Sequence, residues 1–125
     1  MSEFLTSLKA EQLGKRRYTL LADLVYRDDE VGIITVPAGF QTDFASILVL
    51  HNALLFVLYA LVAGYGNYAA AVHDRLYTTG QLTRRQSDDV LYRALRTEGV
   101  ARWRAGLFWV GVRLGGSNKY LSSRR

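Results

Sequence analysis

The sequence predicts an α+β fold in which a small antiparallel sheet (residues about 4–36) packs against three or four helices. Two runs rich in β-branched and aromatic residues lie in the first third of the chain, as is typical of a hairpin. In the rest of the chain, apolar residues recur every three or four positions, as is typical of helices. A chain of 125 residues can enclose one core, so we expect a single domain over 1–125.

The two predicted strands cover residues 18–26 and 31–36, and the cluster Asp28-Asp29-Glu30 marks the turn between them. Pro37, the only proline, ends the second strand because it has no N–H to donate to a ladder. Residues 4–8 are compatible with a third strand and with a turn of helix, and the pattern does not decide between them.

Residues 47–63 predict a helix that is apolar on every side, with His51 and Asn52 as its strongly polar interruptions. Such a helix lies in the centre of a core, under a partner subunit or in lipid. Seventeen residues is the short limit for a bilayer span, which favours burial in protein over contact with a host envelope. Asp43, in the loop before this segment, either caps the helix or presents its carboxylate to a ligand.

A short helix over residues 69–77 contains the adjacent pair His73 and Asp74. His73 shares its face with small and apolar residues and therefore points inward. Asp74 is rotated by roughly 100° and can face an adjacent groove. The other members of the inward face are Ala69, Ala70, Leu76 and Tyr77.

The following helix begins with a capping box formed by Thr83 and Gln86. Asp88 lies on the apolar face of this helix, whereas Asp89 and Arg93 turn outward. Because burying an aspartate is costly unless it is paired, Asp88 requires a partner on a neighbouring element. A histidine on a facing antiparallel helix would satisfy it.

These residues allow two interpretations. A buried Asp88 bonded to one nitrogen of His73 would fix the tautomer and leave the other nitrogen to activate a water. Asp43 and Asp74 could then converge on calcium, which prefers oxygen ligands and would polarise an ester carbonyl. The same side chains could equally form a structural hydrogen-bond network between helix and loop.

The last predicted helix, over about 100–114, contains an apolar stripe, and the chain from Ala101 onward has six basic residues and no acidic one. This end could contact nucleic acid, anionic lipid or an acidic protein, or form a flexible, solvated basic tail over about 116–125. No recognised nucleic-acid motif is present, so nucleic acid is not specifically indicated. The absence of cysteine excludes disulfides and thiolate zinc sites. The stripe consists of Trp103, Leu107, Val110 and Leu114.

The blocks P-A-G-F-Q-T-D-F-A-S at 37–46 and A-A-V-H-D-R-L-Y at 70–77, followed by Asp88, resemble a phage and prophage family, the domain of unknown function 1353. The resemblance covers roughly residues 15–100 and departs from the family just after Ser46, where Leu48-Val49 replaces the usual Pro-Arg continuation. It implies a bacteriophage origin, other phage proteins as partners, and a location in the virion or host cytoplasm. No signal peptide is expected, and self-association is a further alternative.

The local motif H-D-x-x-Y at 73–77 is similar to that of bacterial phospholipases A2. This similarity implies that His73 is a general base held by Asp88, and that Asp43 and Asp74 bind calcium. Two function hypotheses follow. The first is a virion (tail or baseplate) or accessory component with a structural His-Asp network. The second is a calcium-dependent hydrolase of envelope lipids, acting at entry or lysis.

Overall fold

The computed structural model of the chain describes residues 2–13, 18–42 and 67–115. Three of the sequence predictions lie outside these residues: the loop carboxylate Asp43, the apolar helix over 47–63 and the basic tail over 116–125.

The described residues form two antiparallel three-stranded sheets and three helices, which confirms the α+β class. The first sheet has the order β1-β4-β5 and the second the order β2-β3-β6. The strands are β1 (Glu3–Phe4), β2 (Ala10–Gln12), β3 (Tyr18–Leu20), β4 (Leu24–Asp28), β5 (Gly32–Val36) and β6 (Gln41–Thr42). The helices are α1 (Asn67–Thr79), α2 (Arg84–Thr97) and α3 (Arg102–Gly115).

The predicted hairpin is present, but its first strand is divided between the two sheets. β4 pairs with β5 from Leu24↔Val36 to Asp28↔Gly32, so the turn lies at residues 29–31, one residue later than the predicted acidic cluster, and Asp28 is the last residue of β4. β3 instead pairs with β2 and β6. The break between β3 and β4 is stabilised by Asp23, whose carboxylate accepts a hydrogen bond from the Ala38 N–H at 2.7 Å. Residues 18–26 therefore belong to two strands and do not form one continuous strand.

The helices pack side by side, and the first two cover the sheets. α1 contacts β5 and β6, α2 contacts β1 and β4, and α3 packs on α2. Within the described part of the chain, no helix has the length and apolarity needed to cross a membrane. The most deeply buried large side chains come from both layers: Tyr26, Leu24, Ile34 and Val36 from the sheet, and Leu76, Leu91, Leu95 and Phe108 from the helices.

Contacts at the helix ends set the antiparallel packing of α1 against α2. α2 begins with the predicted capping box, in which Thr83 Oγ1 accepts from the Gln86 N–H at 3.1 Å and Gln86 Oε1 accepts from the Thr83 N–H at 3.0 Å. At the other end of α2, the carboxylate of Glu98 accepts a hydrogen bond from the Ala69 N–H in the first turn of α1, at 2.6 Å. Because the C-terminus of α2 is held at the N-terminus of α1, the middle of α1 faces the first turns of α2.

Candidate functional site

Asp88 is the centre of a buried hydrogen-bonded cluster. His73 Nε2 lies 2.7 Å from Asp88 Oδ1, and the hydroxyl of Tyr77 donates to the same oxygen at 2.5 Å. Arg113 Nη1 donates to the other oxygen, Oδ2, at 3.0 Å. Asp88 is fully buried and His73 is 2% exposed. The expected contact between His73 and Asp88 is therefore present, and the role of this pair stays a prediction.

The cluster follows from helix geometry and from one long side chain. His73 and Tyr77 are four residues apart on α1, so their rings lie on one face with centroids 4.1 Å apart. Arg113 reaches Asp88 from the last turn of α3. That turn is held by Arg84, at the start of α2, which donates to the backbone carbonyls of Val112 and Arg113 at 2.9 and 2.7 Å.

Asp88 is held in its ionised form. Burial alone would raise the pKa of this carboxyl, but the hydrogen bonds from His73, Tyr77 and Arg113 outweigh burial and place its pKa below the ordinary value. Burial raises the pKa of Tyr77, and its hydrogen bond to Asp88 and the negative charge of Asp88 raise it further, so the hydroxyl stays protonated and remains a donor.

His73 is neutral at physiological pH. Burial lowers its pKa below the ordinary value of about 6.5, and the hydrogen bond and charge of Asp88 offset only part of that effect. The positive charge of Arg84 lowers it further. Because an ionised carboxylate can only accept, we assign the single imidazole proton to Nε2 and the ring lone pair to Nδ1.

A family model described as Protein of unknown function (DUF1353) matches residues 18–112. The chain belongs to this family. No curated protein and no solved structure matches the DUF1353 chain. The matched range includes His73, Tyr77 and Asp88, and Arg113 follows directly after its last residue. The family description states no activity, and in this DUF1353 protein the chemistry of the cluster is what points to a function.

Asp74 is turned from His73 towards the end of β6 in the DUF1353 chain. It is 9% exposed, and its Oδ2 accepts a hydrogen bond from the hydroxyl of Thr42 at the end of β6. A cation–π contact also joins this part of the chain to α1, since the Arg75 guanidinium carbon lies 5.5 Å from the centroid of the Phe40 ring.

The described residues cover only part of the predicted calcium site. Among them there is no group of three or more His, Cys, Asp or Glu side chains able to hold a metal ion. Asp74 supplies one carboxylate, and Asp43, the residue after Thr42, lies outside the described residues. The calcium hypothesis for Asp43 and Asp74 thus stays a prediction.

Sequence reasoning missed two members of the cluster. Tyr77 was placed on the inward face with His73, and its spacing of four residues was the signal that it could share the same partner. Arg113 gave no comparable signal, because it lies 25 positions from Asp88 and its guanidinium reaches inward from the flank of α3. Its position within a basic C-terminal end favoured a solvated role over a buried one.

Proposed function

We propose that this DUF1353 protein is a phage-encoded hydrolase of lipid esters, with His73 as general base and Asp88 as the residue that positions it. The observation that supports this proposal is the 2.7 Å contact between His73 Nε2 and an ionised, fully buried Asp88. With its proton on Nε2, a neutral imidazole carries its lone pair on Nδ1, the atom that can accept a proton from water.

The proposed reaction uses this lone pair directly. As the water oxygen bonds to the ester carbonyl carbon, one water proton moves to Nδ1, and Asp88 stabilises the resulting imidazolium through Nε2. The proton then passes to the departing alkoxide as the carbon–oxygen bond breaks. General base catalysis of this kind contributes a factor on the order of 10²–10⁴ to the rate. No step of this reaction is assigned to calcium.

The composition of the cluster favours chemistry over packing. A buried group of charged residues is often no more stable than apolar residues of the same volume, so stability alone does not explain it. Perturbed pKa values concentrate at catalytic sites; here the pKa of Tyr77 is strongly raised, and the pKa values of His73 and Asp88 lie below their ordinary values. The choice of lipid esters comes from the similarity of the H-D-x-x-Y motif to that of phospholipases A2.

The test is turnover of a fluorogenic phospholipid by the purified protein, with calcium and separately with a chelator. We expect wild-type turnover, and a loss of about 10²-fold or more in His73→Gln. Thr83→Ala is the matched control, because it weakens the start of α2 without touching the cluster and should keep full activity below its melting temperature. Absence of wild-type turnover, or retention of turnover by His73→Gln, would contradict the proposal.

Asp88→Asn tests whether Asp88 positions the imidazole of His73 for catalysis or only stabilises the fold. This variant keeps the shape of the side chain but removes the charge that holds the imidazole proton on Nε2, so kcat should fall while KM changes little. In wild type, kcat/KM should stay high below pH 6.5 and fall only at the lowered pKa of His73. A profile with no acid limb, or an Asp88→Asn enzyme with unchanged kcat, would argue against the assigned roles.

A second candidate function is a virion (tail or baseplate) or accessory component in which the cluster is structural. The burial of His73 and the donors bound to both oxygens of Asp88 favour it, since a satisfied buried network also locks helices together. Mass spectrometry of purified phage particles tests this role. A protein present in particles, with no turnover and with a stability loss in His73→Gln, would match the second candidate and exclude the first.

A further inference from the structure

α3 exposes one apolar face. Trp103, Val110 and Leu114 are 54%, 42% and 74% exposed, and Leu107 beside them is half-buried. These four residues, which we call the outer stripe, are spaced by three and four positions and therefore form a continuous row. The opposite side of α3 is buried against the rest of the molecule through Ala105, Phe108 and Val112. The outer stripe is thus additional to the face that α3 needs for folding.

Positive charge lies at the N-terminal end of the outer stripe. Arg102 is exposed beside Trp103, and the guanidinium carbon of Arg104 lies 4.9 Å from the centroid of the Trp103 ring. The third arginine of α3, Arg113, is bound to Asp88, and α3 contains no acidic residue. The sequence after α3 adds Lys119, Arg124 and Arg125, again without an acidic residue.

We propose that the outer stripe binds the surface of an anionic lipid bilayer, with α3 lying in the plane of the headgroups. An apolar face flanked by arginine, with tryptophan at its edge, is the pattern of helices that bind at a lipid interface. Fourteen residues give α3 a length of about 21 Å, which suits a helix lying on a membrane and is too short for one that crosses it. The apolar side chains enter the acyl boundary while Arg102 and Arg104 contact the lipid phosphates.

The charge of α3 also argues against a second copy of this chain as the occupant. A two-fold pairing of the outer stripe with itself would bring two positively charged helices together, with no acidic residue on either α3 to offset them. Nucleic acid would satisfy the arginines but would leave the Trp103, Val110 and Leu114 side chains in water. An anionic bilayer accommodates both features.

This inference goes beyond the proposed function and is tested separately from it. Vesicles made of ether-linked lipids contain no carboxylic ester bond for the proposed reaction, so binding can be measured whether or not the protein is such a hydrolase. Failure to bind such vesicles would not contradict the role of His73 as general base. Failure of turnover would not contradict membrane binding by the outer stripe.

The experiment uses ether-linked phosphatidylcholine vesicles, with and without ether-linked phosphatidylglycerol. Trp109→Phe leaves Trp103 as the one tryptophan of the chain, so its emission reports on the stripe directly. We expect a blue shift and co-sedimentation with the anionic vesicles, and weaker binding at high salt. Leu114→Asp should weaken binding by about tenfold or more, because it places a charge where an apolar side chain would be buried.

Ile33→Ser is the matched control, since Ile33 is 55% exposed on β5, far in sequence from α3. It should bind anionic vesicles like wild type. Absence of wild-type binding to anionic vesicles, or equal weakening by Ile33→Ser and Leu114→Asp, would overturn the proposal. A dimer in light scattering that Leu114→Asp abolishes would also overturn it and would assign the stripe to a second copy.

Discussion

Arg93 on α2 and Asp28 at the end of β4 form a buried ion pair that joins the helices to the first sheet. Arg93 Nε lies 3.0 and 3.1 Å from the two carboxylate oxygens of Asp28, whose side chain is fully buried. The hydroxyl of Tyr26 donates to Asp28 Oδ1 at 2.8 Å. Burial would raise the pKa of Asp28, but Arg93, the Glu30 N–H and Tyr26 hold it below the ordinary value.

Arg93→Met should lower the free energy of unfolding by about 3 kcal/mol, the lower end of the cost of leaving one member of a buried pair without its partner. Asp28 would keep the Tyr26 hydroxyl but lose its counter-charge. The measurement is urea denaturation at pH 7. Arg27→Met is the control, because its pair with Glu3 is about half exposed and should contribute less than about 1 kcal/mol. Equal losses in the two variants would show that burial of Asp28 does not set the cost.

His73→Gln should remove a pH dependence of stability that wild type shows below neutral pH. The folded pKa of His73 is lowered, so its contribution is fully present above the unfolded pKa of about 6.5 and is lost as the pH falls towards the folded pKa. In that window the free energy of unfolding of wild type should fall by up to about 1.4 kcal/mol per pH unit relative to the variant. His51 and Glu98 are common to both proteins, so their titrations cancel in the difference. Parallel curves between pH 7 and 5 would mean that His73 is not buried as a neutral ring.

Tyr77→Phe should destabilise the protein by about 2 kcal/mol at pH 7, because it removes one of the donors to a buried, ionised carboxylate. The folded pKa of Asp88 is lowered, so its contribution is present above the unfolded pKa of about 3.9 and is lost as the pH falls through the folded pKa. The difference between wild type and variant should therefore shrink at acidic pH. Acid titrations of the two proteins by circular dichroism check this. A stability difference that stays constant with pH would mean that the Tyr77 hydroxyl does not stabilise the ionised form of Asp88.

Thr83→Ala should cost about 1 kcal/mol, since it leaves the Gln86 N–H at the start of α2 without its side-chain acceptor. Thr83→Ser retains a hydroxyl and should lie within about 0.5 kcal/mol of wild type. Thermal unfolding of the three proteins measures both effects. A serine variant as unstable as the alanine variant would mean that the threonine methyl, and not the cap, stabilises this position.

Features with a local sequence signal were predictable. The hairpin turn after Asp28, the strand end at Pro37 and the capping box at Thr83 each depend on residues within a few positions of one another. The contact between His73 and Asp88 was also predictable, because each lies on the apolar side of its helix and a short connection makes the helices antiparallel.

Features that depend on distant residues were not predictable. Arg93 was expected to face solvent, and that expectation was wrong, because the position of Asp28 under α2 depends on how the sheet packs on the helices. The strand break at Asp23 was missed for the same reason: its partner, the Ala38 N–H, lies 15 residues later. Helical periodicity places a side chain on a face, but a long arginine on the edge of that face can still reach a buried carboxylate.

α2 holds both of its neighbours by their ends: Glu98 accepts from the first turn of α1, and Arg84 donates to the last carbonyls of α3. A slide or rotation of α2 would break the hydrogen bonds at both ends and would also move Asp88 away from its donors on α1 and α3. The three helices should consequently open as one cooperative unit. In native-state hydrogen exchange, the slowest amides of all three should share a single opening free energy, well above that of the short strands β2 and β6.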